Sequence, residues 1–287
     1  MLTIADTTFG GERPLFNRHD LCLRNVVIEP GESALKECSV IEAYNCEFKG
    51  KYPFWHVDTF KIKDCVFRPT ARAALWYSRR LLMEDTLIEA PKMFRRMSDL
   101  TLRNIRIPDA AETLWDCVRI VIRHAQLKNG DYLGLNSRGM DIEELQLEGN
   151  YAFQNCRDVT IRNSVLISKD AFWEAENVTV SDSILDGEYL GWHSRNLHLI
   201  NCRISGTQPL CYAENLTMER CSLAPDCDLA FEYSTGLAVS LDSPVTSVKN
   251  PASGAIFARA IGELILDGNR RENASCRIRT GDGRHDL

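Results

Sequence analysis

GEYLGWHSRNLHLINCRISGTQPLCYAENLTMERC, Gly187 to Cys221, contains one phrase twice: LGWHSRNLHLINC returns as PLCYAENLTMERC, shifted by nineteen residues. Inside the first copy, Leu197 and Leu199 alternate with His198 and Ile200, and a polar residue, Asn201, precedes Cys202 and Ile204. Alternation with a period of two is the signature of a strand. A bend at the polar residue shifts the inward parity, so Leu197, Leu199, Cys202 and Ile204 all face one interior.

The phrase recurs along most of the chain. Its opening apolar residue falls at Leu21, Ile41, Phe60, Leu81, Leu100, Ile120, Met140, Val159, Val178, Leu197 and Leu216, at intervals of 19 to 21. LCLRNVVI at Leu21, LTLRNIRI at Leu100 and VTIRNSVL at Val159 share the pattern apolar-x-apolar-x-polar-small-x-apolar. Each register carries a second short apolar stretch, such as AFW at Ala171 or LGW at Leu190, and leaves no room for a helix. A unit of this length cannot bury its apolar face alone and must stack on its neighbours. The expected fold is all-β: a right-handed parallel β-helix of about twelve coils. A left-handed β-helix needs tighter hexapeptides and coils of eighteen. A leucine-rich repeat needs a helical segment and a Leu-x-x-Leu-x-Leu phrase that are missing.

Two columns support the stacking. The bend position holds Asn25, Asn45, Asp64, Asp85, Asn104, His124, Glu144, Asn163, Asp182 and Asn201, side chains able to bond one another and the turn backbone. The next position places Cys46 beside Cys65, and Cys202 beside Cys221. The eleven cysteines include no CxxC pair or zinc spacing and read as buried thiols, with a disulfide between stacked neighbours as the alternative. One domain is expected: residues 1–14 as an N-terminal cap, 15–250 as coils, and 251–287 as a last strand and C-terminal cap. In this reading Leu237 and Val239 belong to a twelfth coil, SPVTSVKNPASG is a loop, and IGELILDG supplies the last strand.

The 287 residues carry 34 basic and 40 acidic side chains, a net charge of -6. That balance argues against broad binding to nucleic acid or anionic membrane. The chain shows no apolar run long enough for a membrane span and no leader pattern, so a cytoplasmic location is expected. No dinucleotide fingerprint, phosphate loop, HExxH or nucleophile elbow occurs, and no cofactor or metal is expected.

Chemistry concentrates in the second stretch. With the coils in register, Trp76, Trp115, Trp173 and Trp192 share one column with His56 and Arg95, and Trp55 lies one position earlier. The next column holds Tyr77, Glu174, His193 and Tyr212; Asp170, Glu188 and Tyr189 crowd the turn before it. As a ligand face, this arrangement offers aromatic rings to sugar C–H faces and carboxylates to hydroxyls. As a structural feature, it is the like-on-like stacking that β-helices use for stability. If the face acts on a glycan, Asp170, Glu188, Glu174 and His193 are the catalytic candidates, for a glycoside hydrolase or a polysaccharide lyase. The rings of Trp76, Trp115, Trp173, Trp192, Tyr77, Tyr189 and Tyr212 are the binding candidates. A non-enzymatic scaffold that binds another protein or itself, as a homo-oligomer, is the competing reading.

The phrases GKYPFWH, ARAALWYS, APKMFR, ETLWDC, SKDAFWEAENVTV, GEYLGWHS and GTQPLCYAENLTM resemble those of a bacterial family of domains of unknown function, numbered thirty-seven thirty-seven. The resemblance spans nearly the whole chain. It implies a right-handed, pectin-lyase-like β-helix and no established activity, so it transfers no catalytic residues. Fold analogy to polysaccharide-binding relatives is a weak warrant for function.

Overall fold

The computed structural model describes residues 1–281 and 283–286, the last four as backbone only. Two compact units, residues 1–149 and 150–287, are each a ladder of parallel strands wound as a right-handed β-helix. In the first unit the rungs are Leu2–Ala5, His19–Arg24, Ser39–Tyr44, Asp58–Lys63, Arg79–Ile88, Ser98–Ile107, Val118–Leu127 and Arg138–Glu148. In the second they are Arg157–Arg162, Glu176–Ser181, Arg195–Ile200, Thr217–Leu223, Leu237–Leu241, Ser253–Ala258 and Ser275–Thr280.

One coil explains the rest. In Val178–Asp186, Val178, Val180, Ser183 and Leu185 are buried while Asp182, Ile184 and Asp186 face out. Asp182 sits at φ 52°. A single left-handed residue turns the corner and resets which side chains face inward, which is why the apolar pattern slips by one at the polar residue. The corner side chains bond from coil to coil: Asn25 Nδ2 donates to Asp6 at 2.7 Å, Asn45 to Asn25 at 2.8 Å, Asn104 to Asp85 at 2.7 Å and Asn201 to Asp182 at 2.7 Å. All eleven cysteines are free and buried, so the disulfide alternative does not hold.

The second stretch forms a third side of different character. Asp170, Phe172 and Glu174 have φ of 55°, 62° and 55°, alternating with right-handed residues. Its amides still bond coil to coil, Phe172 N–H to the Ala152 carbonyl at 2.9 Å and Glu174 N–H to the Trp192 carbonyl at 3.0 Å. Where that side opens, coils meet at glycine. A Cβ on Gly206, φ 109°, would stand 2.3 Å from the Gly187 carbonyl oxygen, so only glycine fits. The interior is filled by aliphatic side chains and ring stacks, including Phe48 on Phe67 at 4.7 Å and Phe153 on Phe172 at 5.6 Å.

Three expectations need correction. Residues 1–14 are not a cap: Leu2–Ala5 pairs in register with Leu21–Arg24, and Thr8–Glu12 pairs with Val27–Glu32. Residues 251–287 are not one strand and a cap, since Ser253–Ala258 and Ser275–Thr280 continue the ladder. Within SPVTSVKNPASG, Val245–Lys249 is a strand that pairs with Ile261–Ile265, so that segment is not a loop. The described coils therefore number about fifteen rather than twelve. The late coils escaped the register because Leu237, Gly254 and Cys276 pair at spacings of 17 and 22, outside the 19-to-21 rhythm. The final residues of the expected tail, 282 and 287, lie outside the described residues.

Candidate functional site

In the first unit the aromatic column is a closed stack. Backbone bonds run from Glu37 N–H to the Trp55 carbonyl, from His56 to Trp76, from Tyr77 to Arg95 and from Arg96 to Trp115. Trp55 therefore belongs to the same column as Trp76 and Trp115, and His56 belongs with Tyr77. The sequence alignment displaced both by one because the Phe60-to-Leu81 interval is 21 residues. Trp55 and Trp76 lie face to face, 5.6 Å apart at 9°. The Arg95 guanidinium lies 4.4 Å from Trp76 and 4.4 Å from Trp115, held between them, and bonds Glu112 at 3.1 Å. Each indole N–H donates to a carbonyl of the following coil: Trp55 to Ala73, Trp76 to Lys92 and Trp115 to Tyr132. Both faces of Trp76 are thus occupied, and what it turns outward is an edge. Tyr77, 38% exposed, stacks on His56 at 5.0 Å.

In the second unit Trp192 donates its indole N–H to the Gln208 carbonyl at 2.8 Å and is flanked by Tyr189 at 5.1 Å and Tyr212 at 5.2 Å. Trp173 precedes it in the column and is half-buried. His193 stacks on Tyr212 at 4.8 Å, and Tyr212 meets Tyr233 at 5.4 Å. Burial and then the nearby Glu232 push the Tyr212 phenol up. Glu232, which sequence reasoning did not single out, is nearly buried and pairs with Lys249 at 2.9 Å beside those rings.

The four acid–base candidates separate into two pairs. Asp170 and Glu188 stand in neighbouring coils where the third side begins, the Asp170 amide bonding the Glu188 carbonyl at 2.8 Å. Glu174 and His193 stand in neighbouring coils where that side ends, both exposed. Glu188 is exposed and paired with Lys169 at 3.5 Å, whereas Asp170 is only 4% exposed. Burial pushes the Asp170 carboxyl up, with Lys169 opposing and Glu188 reinforcing the shift. A glycosidase needs two carboxyls facing one bond. Here one acid is buried, one is held by a lysine, and one belongs to the far end of the side.

A hollow lies elsewhere in the second unit, on the outer face of the main ladder. Outward positions there run Thr160, Thr179, His198, Thr217, Ala238, Ala255 and Arg277, paired coil by coil. The side chains shrink to alanine and then rise to arginine, which opens a trough of about 630 Å³. Ala238 and Ala255 form its floor; Thr217 and Glu219 bound one end, Arg277 and Arg279 the other, with Ser240 and Phe257 along its flank. Phe257 is 46% exposed, a ring on a strand face with no partner ring among the described residues. Sequence reading missed this site because the shrinkage to alanine falls in the coils whose spacing departs from the repeat. Among the described residues, no group of three His, Cys, Asp or Glu side chains is placed to hold a metal ion.

Comparison with known proteins adds the following. No curated protein sequence matches the chain. Among solved structures, it is similar to PfbA, a surface adhesin of Streptococcus pneumoniae, at 7% identity and a TM-score of 0.41, over 92% of this chain and 84% of that one. It is also similar to the A-module of the Azotobacter vinelandii mannuronan C-5 epimerase AlgE6, at 10% identity and a TM-score of 0.34, over 92% and 80%. The plasmid-mediated fluoroquinolone resistance protein QnrB1 matches at 14% identity and a TM-score of 0.18, over 74% and 83%. A family profile described as "Protein of unknown function (DUF3737)" matches residues 2–279, and the chain belongs to that family.

Proposed function

We propose that this protein binds carbohydrate, and that the binding face is the trough of the second unit rather than the tryptophan column. The observation that carries the reading is Phe257, an open aromatic ring beside a floor of two alanines, bordered by the hydroxyls of Thr217 and Ser240. An aromatic face takes the C–H face of a sugar ring, small neighbours let the ring approach, and a few polar groups fix its orientation. The volume lies within the range of small-molecule sites. Trp55, Trp76, Trp115 and Trp192 serve the fold: their faces or edges are packed and their N–H groups engaged.

The test is a titration of the full chain with neutral and acidic oligosaccharides, followed by calorimetry and by chemical shifts of the Leu237–Leu241 and Ser253–Ala258 amides. Saturable binding should move those amides, and Phe257→Ala should weaken it about tenfold or more. Trp192→Ala should lower the melting temperature and leave the affinity of the folded protein unchanged. Folded protein that gives no saturable response, or binding indifferent to Phe257→Ala, refutes the proposal.

A second reading, a protein-binding or self-associating scaffold, is favoured by one observation. Tyr77 in one unit, and His193 with Tyr212 and Tyr233 in the other, present rigid stacked ring edges at the surface. Sedimentation tests self-association: a stable oligomer lost on Tyr212→Ala supports it, and a monomer at high concentration opposes it.

A further inference from the structure

We infer that the sugar taken by the trough carries a carboxylate, and that Arg277 and Arg279 bind it. The inference rests on the carbohydrate reading and narrows its ligand. Both arginines are exposed, alternate residues of Ser275–Thr280, so their side chains leave the same face with Cα atoms about 6.8 Å apart. Among the described residues, neither guanidinium has an ion pair or hydrogen bond. Several other arginines of this unit are engaged, among them Arg195 with Glu176 at 3.2 Å and Arg271 over the Tyr233 ring at 5.8 Å. At the opposite end of the trough, Glu219 lies 2.9 Å from His198 Nε2 and pairs with Arg220 at 3.8 Å. The trough therefore has one end whose acid is paired and, among the described residues, one end with two cations outside any ion pair.

The register fixes the geometry of recognition. Phe257 pairs with Arg279, and Ala255 pairs with Arg277. A ring seated against Phe257 over the alanine floor lies beside the strand that carries both arginines, whose backbone is one strand spacing away, about 4.8 Å. A carboxylate bonded directly to that ring falls within reach of two planar forks that match its oxygens. The ring hydroxyls then lie on the side of Ser240 and Thr217. A neutral sugar satisfies the floor and flank and leaves the arginines in water.

The experiment compares three ligands on the full chain at low and moderate salt: a neutral oligosaccharide, the uronate oligosaccharide of the same linkage, and inorganic phosphate. The uronate is expected to bind at least about tenfold more tightly than the neutral sugar, with the margin shrinking as salt rises. Arg277→Gln with Arg279→Gln should bring the two sugars to equal affinity by weakening the uronate. The double lysine variant should restore part of the margin, because charge without the planar fork is a weaker match. Equal affinity for both sugars in the unaltered protein overturns this inference and leaves the carbohydrate reading standing. Phosphate binding that needs the arginine pair, with no uronate preference, also overturns it. Binding of neither sugar to folded protein removes the underlying reading. An unchanged melting temperature and circular dichroism spectrum verify that the variants fold.

Discussion

Arg95 is the residue on which the tryptophan column most clearly depends, and replacing it tests whether the column stabilises the coils. Its guanidinium lies 4.4 Å from each of two indoles, and its side chain is 19% exposed. Two partly desolvated cation–π contacts contribute about 1 kcal/mol each. The methylene stem packed between rings adds about 1 kcal/mol, and the Glu112 pair up to about 1 kcal/mol. Against this, the buried Nε has no hydrogen-bond partner, a cost of about 1 kcal/mol or more. The net loss for Arg95→Ala is therefore about 2–3 kcal/mol. Coil repeats open locally, so a single global melt is the wrong readout. Hydrogen exchange is the right one, at Tyr77 N–H, which bonds the Arg95 carbonyl, and Arg96 N–H, which bonds the Trp115 carbonyl. Protection there should fall roughly 30- to 140-fold. Arg95→Met should lose about half as much in free energy, because the thioether still fills the gap and brings no unpaired N–H. Protection unchanged within about threefold in the alanine variant would refute the claim that the stack holds these coils together.

Other outcomes follow from the same structure. Asn201→Ala should cost about 1–2 kcal/mol, because the corner residue keeps φ at 50° without its bond to Asp182, and Asn201→Gly should cost less; equal losses in thermal melts would sink the strained-corner account. Asp170→Asn should raise the melting temperature of the second unit at pH 7. Burial raises this carboxyl, so the folded state binds its proton more tightly than the unfolded one, and ionisation above the unfolded value costs stability; a lowered melting temperature would show instead that the carboxylate is held by a favourable partner. Burial pushes Cys117, Cys211 and Cys227 up to about 12 from an ordinary value of 9.0. Between those values the unfolded chain has lost protons that the folded chain keeps, so stability should be fully present below pH 9 and fall as pH rises above it. Native protein should also resist a thiol reagent at pH 8 that labels it in urea; rapid native labelling of these three cysteines would contradict the burial.

The fold was legible because a parallel β-helix writes its geometry into the sequence at every coil. Period-two strands gave Leu197 and Leu199, the left-handed corner gave Asn201, and the parity reset gave Cys202 and Ile204, each where the ladder places it. The third side did not follow those rules. There Asp170, Ala171 and Phe172 are buried in succession, Trp173 is half-buried and Glu174 is exposed. Alternating left- and right-handed residues break the period-two rule, so a strand's parity misjudges which side chains reach solvent. That is how Asp170, a candidate acid of the face, proves buried, and how the rings of Trp76 and Trp192 prove to be packed against neighbours. The column's contents were correct except for one-residue slips at Trp55 and His56 and again after Cys211, where the Tyr212 N–H bonds the Glu232 carbonyl and Glu232, not Phe231, continues the column; its facing was hidden. The trough was hidden for the opposite reason. Its strands obey period two, but its character comes from what is small, Ala238 and Ala255, and from a register spaced by 17 and 22 residues. A search for chemistry-bearing residues in a 19-residue frame passes over alanines, and a hollow on a sheet face is made by them. In this molecule the regular coils carry stability, and the surface proposed for the ligand lies where the repeat loses its rhythm.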